Sequence, residues 1–407
     1  MNRVTLAIIC VTVVIVLLAI LVACARNPKT AAPPTQAPVE DSRPEAAAPP
    51  PPPPPSPAPS TAERKSAKSA KKDGDSEDKN YAVVRVFYAT DRQPTGSSAP
   101  GSFYGGDRAN QEALNLGTVD VSIPREHRMG AIERPMIWKL EFRENPEKHV
   151  VLLKVTPTPA EQFYADLSNK VQSSPDKDIF VFIHGFDNTF EQAAWRTAQL
   201  SYDLGFRGAP IMYSWPSKGK ISKYTQDEAT IEWTAPHLQN FLETIAARAN
   251  ATTVHLVAHS MGNRALTRAL TSIAASKPAV MPLFKQVILA APDIDVGVFK
   301  QLAAIFPPSA TRVTLYASSH DKALEASGSI HGYLRAGDSS SICVVPAIDT
   351  IDASAVDTSL MGHAYYGDNR SIISDMFYLL QNGAPPDQRF GMHPAKSQEA
   401  TYWSFKP

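Results

Sequence analysis

Residues 254–266 read VHLVAHSMGNRAL. The stretch changes character at Ser260. Before it, 254–258 is a short apolar run of the kind that forms a strand buried on both faces. After it, RALTRALTSIAA (264–275) repeats Leu266, Leu270 and Ile273 at helical spacing. A serine at a strand-to-helix turn, flanked by Ala258 and Gly262, fits a nucleophile elbow, whose sharp turn leaves room only for small neighbours. The pattern is A-x-S-x-G, one methyl away from G-x-S-x-G. The competing reading is a serine that caps the helix. The rest of the chain decides between them.

Working outward, short apolar runs alternate with amphipathic helical patterns. The runs are DIFVFIHG (178–185), APIMYSWPS (209–217), TTVHLVAHS (252–260), KQVILAAPD (285–293), TRVTLYASSHD (311–321) and SICVVPAID (341–349). Helices between buried strands make βαβ crossovers, so the spacing predicts an α/β fold with a doubly wound, mostly parallel sheet. Upstream, YAVVRVFYATDR (81–92), GTVDVSIP (117–124), MIWKLEF (136–142) and HVVLLKV (149–155) read as strands, an antiparallel start to that sheet. AEQFYADLSNKVQ (160–172) reads as a helix. Between Asp295 and the strand at Arg312 there is space for one short helix, not for a large cap domain. The connection 218–232 is the only candidate for a lid.

The chain of 407 residues is 43% hydrophobic and 20% charged, with 40 basic and 40 acidic residues. A zero formal charge gives no reason to expect a nucleic-acid partner. The three cysteines, Cys10, Cys24 and Cys343, stand too far apart for metal-ligand or redox spacing, and no residue cluster suggests a cofactor. The first 26 residues hold an uncharged apolar run at 4–23, suited to a removable signal or a membrane helix. LVAC (21–24) resembles a lipobox, with Cys24 as the lipidated residue. Either reading predicts a membrane partner at the N-terminus and a chain held at the cell envelope, outside the cytoplasm. Residues 27–80, with PPPPPPPSPAPS at 49–60 and ERKSAKSAKKDGDSEDKN at 63–80, form a spacer without a core. The globular domain then runs over 81–385, and 386–407 reads as a C-terminal tail.

A nucleophile needs an oxyanion hole, a base and an acid. The turn into the helix offers the Met261 amide. The second donor must come from another loop, and His184-Gly185-Phe186, after the strand at 178–183, supplies the Phe186 amide. His184 itself reads as structural. In serine hydrolases on such sheets the order is Ser, acid, His. His363, in MGHAYYGDN (361–369) between the last strand-like run and a helix at 371–381, is therefore the base; His320, His331 and His393 are worse placed. Asp321, ending the run at 311–321, is the first candidate acid, although an Asp before KALEAS is also a good helix N-cap. Asp293 and Asp295, one strand earlier, are its rivals. Trp215, Tyr365 and Tyr366 are pocket walls or core packing.

At this point the segments VRVFYATDR (84–92), FIHGFDNTFEQAAWRTAQLSYDLGF (182–206), PIMYSWPSKG (210–219), LVAHSMGNRAL (256–266), ILAAPDID (288–295), YASSHDKAL (316–324), LRAGD (334–338) and GHAYY (362–366) together resemble a family of bacterial α/β-hydrolases of undefined function. The resemblance spans 81–383. It implies the α/β-hydrolase fold and an esterase- or lipase-like serine hydrolase with Ser260 as nucleophile, His363 as base and Asp321 as acid. The elbow is also similar to that of some small bacterial lipases. No substrate follows from the resemblance. The expected reaction is cleavage of a small ester or acyl substrate through an acyl-enzyme. Amide, thioester or acyl-transfer chemistry with the same triad is the alternative, as is a non-catalytic binding module on a tether.

Overall fold

The structure, a computed structural model, describes residues 79–110, 113–135, 141, 143–303, 312–356, 370–397 and 400–405. In chain order the elements are β1 (Tyr81–Thr90), the short β2 (Arg92–Pro94) and β3 (Tyr104–Arg108), β4 (Asn115–Pro124), β5 (Val151–Pro157), α1 (Ala160–Ser173) and β6 (Asp178–Ile183). Then follow α2 (Phe190–Asp203), β7 (Ala209–Ser214), α3 (Tyr224–Arg248), β8 (Thr253–His259), α4 (Gly262–Ser276), β9 (Phe284–Ala290) and α5 (Val296–Ala303). The chain ends with β10 (Arg312–Ala317), α6 (Lys322–His331), β11 (Ile348–Asp352), α7 (Arg370–Asn382), β12 (Met392–Ser397) and β13 (Ala400–Phe405).

Eleven strands form one sheet in the order β12-β13-β11-β10-β9-β8-β6-β7-β1-β4-β5, and β2 and β3 pair separately. From β1 through β13 neighbouring strands are parallel, while β4 and β5 on one side and β12 on the other are antiparallel. Every residue of β7 is buried, as is nearly all of β6, β8, β9 and β10. The period-2 pleat divides these apolar runs between two faces. Ile179, Val181 and Ile183 pack on one side with α1, α3, α4 and α5. Phe180 and Phe182 pack on the other side, where α2, α6 and α7 lie. Fully burying each such side chain stabilises the fold by about 1.5–3 kcal/mol. This is the doubly wound, mostly parallel sheet expected from the alternation, and the α/β-hydrolase fold that the family resemblance implies; among the described residues between Asp295 and Arg312 the short helix α5 stands where the sequence left room for one.

Three expectations change. The run at 341–349 becomes a strand only from Ile348, because Pro346 has no N–H for a ladder and Ala347 sits at φ 66°. The candidate lid at 218–232 is a short 3-10 turn followed by the first turns of α3. There the buried Asp227 carboxylate accepts the Ser217 hydroxyl at 2.6 Å and the Lys218 amide at 2.9 Å, and Thr230 and Ile231 are buried. The C-terminal stretch is no tail: β12 and β13 form a hairpin, and β13 joins β11 in parallel register. The buried Arg389 secures it by donating to Asp375 at 2.9 Å. Of the strand expected at 136–142, residues 136–140 and 142 lie outside the described residues.

One buried ionic cluster makes a pH-dependent contribution to stability. His127 donates through Nδ1 to Glu133 at 2.8 Å and through Nε2 to Asp203, the last residue of α2, at 2.9 Å. Burial disfavours the imidazolium, but the two carboxylates outweigh it and raise His127 to about 9. A raised pKa means the folded state binds the proton more tightly. The contribution is therefore complete below the unfolded value of about 6.5 and fades as pH rises through about 9. Thermal unfolding between pH 6 and 10 should show a decline worth about 2 kcal/mol, after allowance for screening, that is absent in His127→Gln. A parallel decline in the variant would assign the effect elsewhere.

Candidate active site

From β6 the chain turns one way, through α2 to β7, and from β8 the other way, through α4 to β9. The crevice between the carboxyl ends of β6 and β8 is thus a topological switch point, where open α/β sheets bind ligands. Ser260 follows β8 and His184-Gly185-Phe186 follows β6, so the switch brings both expected stretches to one place.

Ser260 lies at φ 48°, a left-handed conformation that side chains other than glycine rarely adopt. It is held there. Its amide donates to Ala290 O at 2.9 Å, and its carbonyl accepts the amides of Asn263 at 3.1 Å and Asp293 at 3.2 Å. The buried Asn263 side chain adds bonds from Nδ2 to Ser260 O at 2.9 Å and Ala290 O at 3.1 Å. Strain imposed on a partly exposed serine between strand and helix is what an elbow requires. The N-cap position of α4 is taken by Met261, so Ser260 is not its capping residue. Met261 immediately precedes Gly262, the first residue of α4, so its amide lies at the positive end of the helix. Ala258, the departure from the glycine pattern, is buried and paired with Ile183 and Leu289 without disturbance.

Two glycines set the approach of the loops. A Cβ on Gly185 would sit 2.8 Å from Ser260 Cβ and 2.8 Å from His259 Nδ1; one on Gly262 would sit 2.4 Å from His184 O. The loop carrying Phe186 is therefore packed directly on the elbow. Phe186 is partly buried and meets the Tyr224 ring edge-on at 5.0 Å.

Behind this loop lies a charged residue that no local sequence signal marks. Arg92 is 1% exposed. Its Nε donates to Ser214 Oγ at 2.8 Å, and Nη1 donates to Gly105 O and Ser217 O, each at 3.0 Å. Nη2 reaches Asn188 O at 2.8 Å and His184 Nε2 at 3.3 Å. Burial lowers its pKa to about 9 while Asp91 and Asp227 pull it back up, so it is charged at neutral pH. His184 is equally buried; desolvation first, then the Arg92 cation, push it well below the ordinary histidine range. It is neutral, as its structural assignment requires. Trp215 stacks on His184 at 5.2 Å and donates Nε1–H to His184 O at 2.7 Å; fully buried, it is core packing and not a pocket wall.

The candidate acids differ in surroundings. Asp321 caps α6, its Oδ1 accepting the amides of Ala323 at 3.0 Å and Leu324 at 3.1 Å. Asp293 is buried in a network. Its Oδ2 accepts Tyr224 Oη–H at 2.5 Å and Arg264 Nη2–H at 3.2 Å; its Oδ1 accepts Ser327 Oγ–H at 2.7 Å and faces Arg335 Nε at 3.3 Å. Burial first, then the Asp293 charge, raise the Tyr224 phenol above its usual range. Asp295 Oδ1 accepts the Val298 amide at 2.9 Å near the start of α5. His363, with Tyr365 and Tyr366, lies outside the described residues, as does Cys24. Tyr224 and Arg264 join Arg92 as residues the sequence did not single out.

Comparison with known proteins adds three findings. No curated protein sequence matches the chain. Among solved structures, Trichoderma reesei cutinase in complex with a C11Y4 phosphonate inhibitor is similar at 14% identity and a TM-score of 0.23, covering 33% of this chain and 68% of that one. The family described as alpha/beta hydrolase of unknown function (DUF900) matches residues 160–379, a span that runs from α1 into α7 and holds the elbow, the Gly185 loop and all three candidate acids. With more than half of its length matched, the chain belongs to that family of alpha/beta hydrolases.

Proposed function

We propose that the protein is a serine hydrolase that cleaves small carboxylic esters through an acyl-enzyme on Ser260, with His363 as base, Asp321 as acid, and the Phe186 and Met261 amides as oxyanion hole. The observation that carries the reading is the Ser260 backbone at φ 48°, at the switch point, with Gly185 against its Cβ. In this mechanism Ser260 Oγ attacks the acyl carbonyl while His363 takes its proton. The two amides receive the negative oxygen of the tetrahedral intermediate. His363 returns the proton to the departing alcohol, leaving the acyl group on Ser260. A water molecule, deprotonated by His363, then attacks the ester, and the carboxylate leaves as Ser260 regains its proton. Asp321 accepts the His363 Nδ1–H and stabilises the imidazolium.

The test pairs a series of p-nitrophenyl esters of increasing acyl length with a fluorophosphonate probe, on the full-length chain. Saturable turnover and a single adduct on Ser260 are expected; neither with any ester would move the protein to a tethered binding role. Asp321 is preferred over Asp293 because it follows β10, the strand beside β11, whereas Asp293 follows the earlier β9 and is built into a buried network with Tyr224, Ser327, Arg264 and Arg335. Asp321→Asn should lower kcat by about 10²–10⁴-fold with little change in stability. Asp293→Asn should instead cost about 3 kcal/mol, because it strips charge from a buried ionic network. The opposite pattern would reassign the acid. The chain is further proposed to be held at the envelope by residues 1–26. Loss of Cys24→Ser from the membrane fraction would favour a lipid anchor, and retention would favour a spanning helix.

A further inference from the structure

The groups behind the Gly185 loop point to a positioning function that the hydrolytic scheme does not use. A trans peptide is planar, and its C=O and N–H point in opposite directions. The Phe186 N–H, the proposed oxyanion donor, shares its peptide unit with the Gly185 carbonyl, and no peptide bond among the described residues is cis. Fixing the Gly185 carbonyl therefore aims the Phe186 N–H.

That carbonyl is 2.8 Å from His184 Nδ1, with Asn188 Nδ2 a longer partner at 3.4 Å. An acceptor carbonyl requires the proton to be on Nδ1. The other ring nitrogen, Nε2, faces Arg92 Nη2 and Ser214 Oγ, each at 3.3 Å. A guanidinium only donates, so Nε2 must be the unprotonated nitrogen. Both contacts select the same tautomer. Arg92 has all five of its N–H groups committed, to β3, to the end of β7, and to both ends of the loop after β6. Among the described residues it forms no ion pair, so its charge is directed at these loops and not neutralised by contact with a carboxylate. Trp215 fixes the plane of the imidazole by stacking on it and by bonding to its backbone carbonyl.

We propose that Arg92 and His184 form a buried hydrogen-bond relay that orients and polarises the 185–186 peptide, so that the Phe186 amide is presented as an oxyanion donor. Both are positioning residues, and the inference rests on the hydrolytic reading above. The relay runs from the Arg92 N–H to His184 Nε2, and from His184 Nδ1–H to the Gly185 carbonyl. Chains of hydrogen bonds in a dry interior polarise one another, so the cation strengthens the far donor. Because the oxyanion exists only after attack, losing the relay should slow the chemical step and leave substrate binding nearly untouched.

The experiment uses the full-length chain with His184→Leu and His184→Gln, assayed on the best p-nitrophenyl ester. Glutamine can accept from Arg92 through Oε1 and donate through Nε2 to the Gly185 carbonyl, whereas leucine can do neither. His184→Leu is expected to lower kcat by about 30- to 100-fold with KM within about twofold, and His184→Gln to recover most of that loss. Equal losses in both variants, or a loss confined to KM, would overturn the relay. A second readout is independent of turnover: nitrogen NMR of the wild-type chain labelled in its histidines and in the Phe186 amide. It is expected to show His184 neutral with the proton on Nδ1 from pH 5 to 9, and the Phe186 amide resonance displaced by Arg92→Lys. A titrating His184, a proton on Nε2, or an unmoved Phe186 resonance would also overturn the proposal. A wild-type chain that turns over no ester removes the hydrolytic reading, and with these NMR results as the criterion the relay itself stands or falls separately.

Discussion

Ser260→Ala is expected to lower kcat on p-nitrophenyl esters by about 10⁴–10⁶-fold, and to abolish fluorophosphonate labelling altogether. The size follows from the division of labour. Without the hydroxyl no acyl-enzyme can form, and the residual rate is what an oxyanion hole and substrate binding give to direct attack by water. Removal of the base should therefore add little: Ser260→Ala combined with His363→Ala should be no slower than Ser260→Ala alone, within a factor of about three, because residues that act as a unit are not additive. Ser260→Gly makes a sharper comparison. It should lose the same activity, yet gain about 1 kcal/mol of stability, because φ 48° is strained for serine and open to glycine. An active site that stabilises the protein when dismantled is one whose geometry is maintained against local preference. A Ser260→Ala variant with more than a tenth of wild-type kcat would remove the serine from the chemistry.

The parallel strands were readable because burial on both faces demands unbroken apolar runs, and β6 to β10 each coincide with a run so identified, β9 starting one residue earlier at Phe284. The elbow was readable because it packs a strand signal, a small-residue rule and a helix signal into 13 residues. Gly185 was legible for the same reason: an HG pair at a strand end is a local feature with a steric meaning. Arg92 was not. Its partners come from residues 105, 184, 188, 214 and 217, so nothing within ten residues of it announces a buried cation. The same holds for the network of Asp293, Tyr224, Arg264, Ser327 and Arg335, which is drawn from α3, α4, α6 and the segments beside them.

The failures at the far edge of the sheet have local causes. In 341–349 the apolar residues suggest a strand, but one proline and one left-handed alanine delay it to Ile348. TYWSF (401–405) carries the β-branched and aromatic residues of a strand, but polar residues before it disguised the hairpin as a tail. The lid reading failed at Asp227, whose carboxylate is turned inward to Ser217 and Lys218 so that the connection is tied down as a helix start.

Gly262→Ala is expected to cost about 3 kcal/mol and to reduce kcat by at least about 100-fold, though by helix propensity alone it should help. Alanine is favoured over glycine by about 1 kcal/mol inside a helix, and Gly262 is the first residue of α4. Against that gain stands the wall it faces. Its Cβ would lie 2.4 Å from His184 O and 2.8 Å from Ile183 O, both backbone atoms at the end of a central strand. A flexible side chain could turn away, but β6 is paired on both sides, with β7 and β8, and cannot retreat without breaking its ladder. Overpacking of this kind costs about 1–3 kcal/mol even where neighbours relax, so the steric term wins. The displaced atom matters as much as the cost. His184 O is one peptide from Gly185, so the strain moves the loop that carries the Phe186 amide, and misplacement by about 1 Å of a catalytic group can cost about 100-fold in rate. Urea unfolding followed by circular dichroism would give the stability change, and the ester assay the change in kcat. A Gly262→Ala chain as stable and as active as wild type would mean that α4 and the Gly185 loop are not packed this closely, and the close approach of loop to elbow would have to be abandoned.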